Sequence, residues 1–152
     1  MKFKCIIVDD EPLARSFLER YCEKHGNLEV MGSFADSETA FNYLESNEID
    51  ILFLDVEMPG DNGFGLLDKL LYIPKVVLTT AKTDYAFDAF QYHVTDYLKK
   101  PITFARFQES IHKITESLNR TTVETTKDDI FIKTEGKFMR LNYQDILYIE
   151  SM

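Results

Sequence analysis

Residues 50–56, DILFLDV, hold four consecutive apolar side chains between two aspartates, so a strand built from them is apolar on both faces. Such a strand is stable where helices cover the sheet on each side, which restricts the chain to a layered α/β architecture. The flanking sequence supplies those helices. CIIVDD reads as a first strand, and Pro12 opens a helix that carries Leu13, Phe17, Leu18 and Tyr21 on one face as far as Gly26. LEVMGSF predicts a second strand, and Asp36 or Ser37 can cap a helix through Ala40, Phe41 and Leu44. After the third strand, MPGDNG predicts a loop and the following residues a helix through Phe64, Leu67 and Leu71. KVVLTTA after Pro74 is a fourth strand, Thr83 or Asp84 caps a helix over YAFDAFQY, and VTDYLKK is a fifth strand. Phe104, Phe107, Ile111, Ile114 and Leu118 recur at helical spacing in the last helix. Strands and helices alternating in this way predict a doubly wound five-stranded parallel sheet over residues 1–120.

The pattern changes at 121–129, TTVETTKDD, which has no apolar periodicity and reads as a linker. From 130 to 152 the period becomes two around Glu135-Gly136, the signature of antiparallel strands. These strands lack a closing partner, and a lone hairpin is marginal in water, so residues 130–152 are expected to be the opening of a second, β-rich domain.

Composition narrows the function. The 152 residues are 45% hydrophobic, enough for one ordinary domain and some further chain. A net charge of −9 provides no basic footprint for nucleic acid or an anionic membrane. The apolar runs are of strand length and interrupted by charge, and the first residues lack the apolar stretch of a signal peptide, so a cytoplasmic location is expected. Cys5 and Cys22 have no metal-ligand spacing and read as buried reduced thiols. His25, His93 and His112 are scattered and read as surface residues.

The first strand ends in three acids, Asp9, Asp10 and Glu11. Two carboxylates about 4 Å apart repel by roughly 4 kcal/mol at the effective dielectric of a protein surface. In open parallel sheets the carboxyl ends of the strands converge on the ligand site, which brings Asp9, Asp10, Asp55, Thr80 and Lys100 to one rim. A hard divalent cation among the acids, Mg²⁺, would offset the repulsion and leave coordination positions for a phosphoryl group. Thr80 and Lys100 are then placed to bind phosphoryl oxygens, and Asp55 to act as the nucleophile that forms an aspartyl phosphate.

Taken together, VDDEP, LFLDVEMPGDNG, VVLTTA and DYLKKP, in that order and spacing, resemble the receiver domain of bacterial two-component response regulators, a flavodoxin-like fold. The resemblance implies Asp55 as phosphoacceptor, Asp9 and Asp10 as metal-site acids together with Asp55, and the backbone carbonyl of Glu57 as a further Mg²⁺ ligand. It implies Thr80 as the switch hydroxyl, Tyr97 as the switch aromatic and Lys100 as the site lysine. The residues alone leave Thr79 and Lys99 as rivals, and the family spacing selects Thr80 and Lys100. It also implies a cis Lys100-Pro101 bond. TTAKTDYAFDAF, DYLKKP and the tail FIKTEGKFMRLNYQDILYIE are most similar to regulators with a LytTR-type (LytR/AlgR-like) DNA-binding output domain. Residues 130–152 match only its opening strands, so DNA contact is assigned to the full-length output domain and not to this segment.

On that basis the chain is expected to take a phosphoryl group from a sensor histidine kinase, catalysing no more than its own phosphotransfer and dephosphorylation. Movement of Thr80 would let Tyr97 turn inward and favour a homodimer, with Phe87, Phe90, Tyr92, Phe104 and Phe107 on the affected face. Glu57 and Lys82 flank the phosphoryl site and are placed to tune the lifetime of the phosphoryl group by pairing; two unrelated surface charges are the alternative. The rivals are a Mg²⁺-dependent phosphohydrolase, whose D-x-D pattern DVEMP does not match, and an FMN carrier, whose phosphate DDEP would repel. A phosphorylation-independent adaptor is the third, and the intact acid set argues against it.

Overall fold

The computed structural model describes residues 2–58, 61–82, 92–118, 123–125, 129–134 and 137–142, with side chains over 2–58, 62–82 and 92–118. Its main sheet contains β1 (Phe3–Val8), β2 (Leu28–Phe34), β3 (Ile51–Asp55), β4 (Lys75–Thr80) and β5 (Asp96–Lys99). All neighbours are parallel, in the order β2-β1-β3-β4-β5, as expected for the flavodoxin-like winding. The helices are α1 (Pro12–His25), α2 (Ser37–Ser46), α3 (Gly63–Lys69) and α4 (Phe104–Leu118). The helix expected over 84–91, with Phe87 and Phe90, lies outside the described residues.

Strand alternation divides the core. Ile6, Val8, Leu52, Leu54 and Leu78 pack on one face with Ala40 of α2 and Leu66 and Leu67 of α3. Cys5, Ile7, Ile51, Phe53, Val77 and Leu98 face Leu18 and Cys22 of α1 and Phe107, Ile111 and Ile114 of α4. The central strand is therefore apolar on both sides because both sides are covered. Phe107 is fully buried and stacks on Phe53 at 5.6 Å, which removes it from any dimer surface. Tyr92, whose ring stacks on Phe64 at 4.8 Å, is half-buried.

Local chemistry sets the helix ends. Pro12 opens α1, and Gly26 closes it in the left-handed region at φ 88°, with its N–H donating to the Cys22 carbonyl. Asp36, not Ser37, caps α2 by accepting from the Thr39 N–H at 2.8 Å. Asn62 caps α3 through the Phe64 N–H, also at 2.8 Å.

Three features depart from the sequence-based expectations. The 57–62 loop carries a short antiparallel pairing of Glu57 with Asn62 and Met58 with Asp61. Helix α3 stops at Lys69, so Leu71 is 70% exposed and Leu70 fills the core position instead. Pro74 restricts Ile73 to extended backbone, and the helix has to end before it. Within the stretch expected to be a linker, Val123–Thr125 forms β6, antiparallel to β7 (Asp129–Thr134), which pairs with β8 (Lys137–Asn142). Glu135-Gly136 and residues 143–152 lie outside the described residues.

One ion pair ties β5 to α4. Asp96, buried at the start of β5, receives two 2.8 Å hydrogen bonds from the Arg106 guanidinium, with Lys113 at 3.5 Å. Burial pushes its carboxyl up, but the Arg106 hydrogen bonds, the Tyr97 N–H and the Arg106 and Lys113 charges outweigh that and hold it below the usual carboxylate range. A lowered folded value contributes stability above the unfolded-state pKa, near 4, and loses it as pH falls through the folded value. Arg106→Ala is expected to cost about 1–2 kcal/mol at pH 7, less than a wholly buried pair because the guanidinium side is partly exposed. Urea unfolding should show the gap from wild type narrowing between pH 7 and pH 3; a constant gap would contradict the assignment.

Candidate functional site

The carboxyl ends of β1 and β3 place Asp9, Asp10 and Asp55 in one cluster, with ligand-capable oxygens within 4.8 Å of one another. Asp9 is fully buried, Asp55 is 3% exposed and Asp10 is half-buried. Backbone donors hold the two buried carboxylates. Asp9 Oδ1 accepts from the Glu11 N–H at 2.9 Å, and Asp55 Oδ1 from the Glu57 N–H at 3.2 Å.

Lys100 enters from the end of β5. Its Nζ donates to Asp9 Oδ2 at 2.7 Å and lies 3.4 Å from Glu11 and 3.6 Å from Asp55 Oδ2. The Lys100-Pro101 bond is cis, and the Lys100 N–H donates to the Thr80 carbonyl at 2.7 Å. Burial, then the charge of Asp9, pushes the Asp55 carboxyl up to about 7, while Lys100 acts in the opposite direction. Burial opposes charge on Lys100 as well, but the Asp9 hydrogen bond and the charges of Asp55, Asp9 and Glu11 prevail and raise it above the usual lysine value.

When all three acids are ionised, they outnumber the one lysine by two negative charges in the inner cluster, and burial and the Asp9 charge hold Asp55 back from that state. An all-oxygen donor set with excess negative charge suits a hard divalent cation such as Mg²⁺ and would not suit a soft metal. The residues present fit that ion.

The register of β3 and β4 pairs Asp55 with Thr79, so Thr80 stands one residue further toward the rim. Thr80 is fully buried, and its Oγ1 accepts from the Lys82 N–H at 3.1 Å. Tyr97, half-buried on β5, donates its hydroxyl to the Lys82 carbonyl. The backbone of a single residue therefore contacts both the hydroxyl and the aromatic singled out from the sequence. The Lys82 side chain also lies 3.5 Å from Glu57 Oε1. His93 and His112 are exposed, His25 is half-buried, and all three stand apart from the acid cluster.

Two contributors escaped the sequence analysis. Arg15, one turn into α1, donates to the Asp9 carbonyl at 2.6 Å and braces the peptide that carries the buried acid. Gly63 opens α3 with its N–H on the Val56 carbonyl at 2.9 Å, and a methyl group there would stand 2.6 Å from the Asp55 carbonyl oxygen. The glycine in GDNG hinted at a turn, but only the fold shows that it abuts Asp55.

Comparison with known proteins agrees with this geometry. Residues 5–112 match the family described as Response regulator receiver domain. The chain is 34% identical over 137 residues to Transcriptional regulatory protein BtsR of Salmonella typhi, covering 88% of this chain and 54% of that protein. It is 39% identical over 129 residues to Sensory transduction protein LytT of Bacillus subtilis, covering 82% of this chain and 53% of that one. The response regulatory domain of mrkE from Klebsiella pneumoniae superposes with a TM-score of 0.69 at 33% identity, over 74% of this chain and 95% of that one. The chain spans about half the length of the curated relatives it matches. It belongs to the response regulator receiver family.

Proposed function

We propose that this receiver accepts a phosphoryl group on Asp55 from a sensor histidine kinase in a Mg²⁺-dependent reaction and relays the change to a DNA-binding output domain. The observation that carries the proposal is the buried Asp55 carboxylate, set in the acid cluster with the Lys100 ammonium 3.6 Å away. An Asp55 oxygen attacks phosphorus, the bond from phosphorus to the donor's imidazole nitrogen breaks, and the released imidazole takes up a proton. Mg²⁺, held by Asp9, Asp10, Asp55 and the Glu57 carbonyl, would supply positive charge to the phosphoryl oxygens. Lys100 neutralises one of those oxygens, and its contact with Asp9 keeps the ammonium aimed there.

Beside Lys100, Pro101 and Ile102 join Ala14, Phe17, Leu18 and Tyr21 around a cavity of about 240 Å³. Leu13 and Phe17 on α1 are exposed near it. This apolar surface at the mouth of the site supports approach of a phosphodonor protein from the α1 side.

The new phosphoryl oxygens need donors. When the Thr80 side chain moves so that its hydroxyl donates to one, Oγ1 is drawn away from the Lys82 N–H from which it now accepts. The Lys82 carbonyl is the acceptor for Tyr97, so the same backbone segment reports the change to the aromatic. In this account residues 1–120 are the receiver, 121–129 the connection and 130–152 the start of a LytTR-type domain, with phosphorylation favouring a homodimer. The protein's chemistry is confined to its own phosphotransfer and dephosphorylation. No helix among the described residues is long and apolar enough to cross a membrane, which accords with the proposed cytoplasmic location.

Incubation with Mg²⁺ and acetyl phosphate should add one phosphoryl mass to the intact protein, acid-stable, alkali-labile and absent from Asp55→Ala. A wild type that gains no mass while Mg²⁺ binds, and that also fails to take up beryllofluoride, would refute the proposal. Glu57 and Lys82, paired at 3.5 Å beside the site, are proposed to limit water access. Glu57→Ala and Lys82→Ala are each expected to change the dephosphorylation half-life by about 2- to 10-fold, a modest effect because the pair is exposed. Unchanged half-lives in both variants would remove that role.

A further inference from the structure

Between the end of α3 and the start of β4 the chain makes a two-residue strand, Tyr72–Ile73, that belongs to no part of the parallel sheet. Ile73 is buried in the receiver core with Leu70, Leu67 and Val76, so the segment is anchored. Tyr72 is 51% exposed and Leu71 more so, which puts the peptide groups of this segment at the surface. A surface strand edge of this kind takes a partner through main-chain hydrogen bonds. Strand β8 occupies it: Phe138 pairs with Ile73 and Met139 with Tyr72, antiparallel. The resulting four-stranded order is Tyr72–Ile73, β8, β7, β6, so the receiver supplies one outer strand of the second sheet.

Helix α3 runs between this edge and the acid cluster. Helix α3 begins at Gly63, with its N–H on the Val56 carbonyl and no room for a side chain against the Asp55 carbonyl. It ends at Lys69, three residues before Tyr72. Seven residues of helix span about 10 Å, and a packed helix transmits displacement along its axis better than a loop. One end of α3 therefore abuts the Asp55 peptide and the other leads into the docking edge.

We infer that Tyr72–Ile73 is a docking strand for the first part of the output segment, Lys137–Asn142, and that α3 couples this docking to the state of Asp55. The docking stands on the strand pairing alone; the coupling rests on the phosphoacceptor role proposed above. The occupant is a segment of the same chain, because that segment is seated on the edge in register.

Paired residues of an antiparallel ladder have Cα atoms about 4.5–5.5 Å apart, within disulfide range. In the 152-residue chain, Tyr72→Cys with Met139→Cys should close an intramolecular disulfide under diamide at least tenfold faster than Tyr72→Cys with Thr125→Cys. Thr125 lies three strand spacings away, about 14 Å, beyond disulfide reach. The natural thiols Cys5 and Cys22 are buried with their Sγ atoms 3.9 Å apart, so both pairs are made in a Cys5→Ala, Cys22→Ala background. Equal rates for the two pairs, or no intramolecular product, would overturn the docking. Hydrogen exchange on the unaltered chain provides a second readout that no cysteine variant can disturb. Of the amides of residues 72 and 73, the one that faces β8 in the alternating ladder should exchange at least tenfold more slowly than in Met139→Pro, and equal exchange would overturn the docking independently.

Neither measurement uses a phosphodonor, so failure of the docking is distinct from failure of the phosphoacceptor role. With Mg²⁺ and bound beryllofluoride the 72–139 crosslinking rate should change at least threefold. An unchanged rate with beryllofluoride shown to be bound would overturn the coupling through α3.

Discussion

A lysine ammonium 2.7 Å from a fully buried carboxylate is the contact on which the rest of this site depends. Burial alone disfavours the charge on both groups, and each makes the other tolerable. The pair joins the first strand of the sheet to the last, across the two strands that carry Asp55 and Thr80. It compensates only part of the negative charge around it. What remains is a rim with excess carboxylate oxygens, a setting that suits a hard cation.

The fold is arranged so that this rim is stiff behind and adjustable in front. Behind it, the strands that carry the acids are buried on both faces, with Phe53 and Phe107 stacked against one side and α2 and α3 against the other. In front, Thr80, Lys82 and Tyr97 form a short chain of single hydrogen bonds, any of which can be exchanged at small net cost. A change of charge at Asp55 therefore meets two kinds of neighbour. In the reading proposed above, the rigid ones hold the carboxylate in place and the exchangeable ones carry the response away.

Much of this was legible in the sequence because the relevant signals are local. A run apolar on both faces identifies a central strand, Pro12 and Gly26 bound the first helix, and acids at strand ends converge by the topology of parallel sheets. The rest was set by contacts that a one-dimensional pattern does not encode. Leu71 continues the apolar periodicity of α3, yet Pro74 forces the chain to be extended and Leu70 takes the core position. Val123–Thr125 has no period of its own and becomes a strand only because β7 lies beside it. Arg15 and Gly63 act on backbone carbonyls brought near by folding, and no spacing rule points to either. The choice of Thr80 over Thr79 came from the family spacing, and the register of β3 against β4 gives its structural counterpart, one residue beyond the pair to Asp55.

On the proposed reading, the excess carboxylate charge at the rim holds a divalent cation. The most direct test is the thermal midpoint of the metal-free protein with and without Mg²⁺, measured beside Asp9→Asn. Saturating Mg²⁺ at about 100 times its Kd stabilises a folded protein by about 2.7 kcal/mol, equivalent to a rise of about 5–10 °C for a domain of this size. That rise is expected in the wild type and its loss in Asp9→Asn. A wild-type midpoint indifferent to Mg²⁺, or an equal rise in the variant, would contradict the proposed reading.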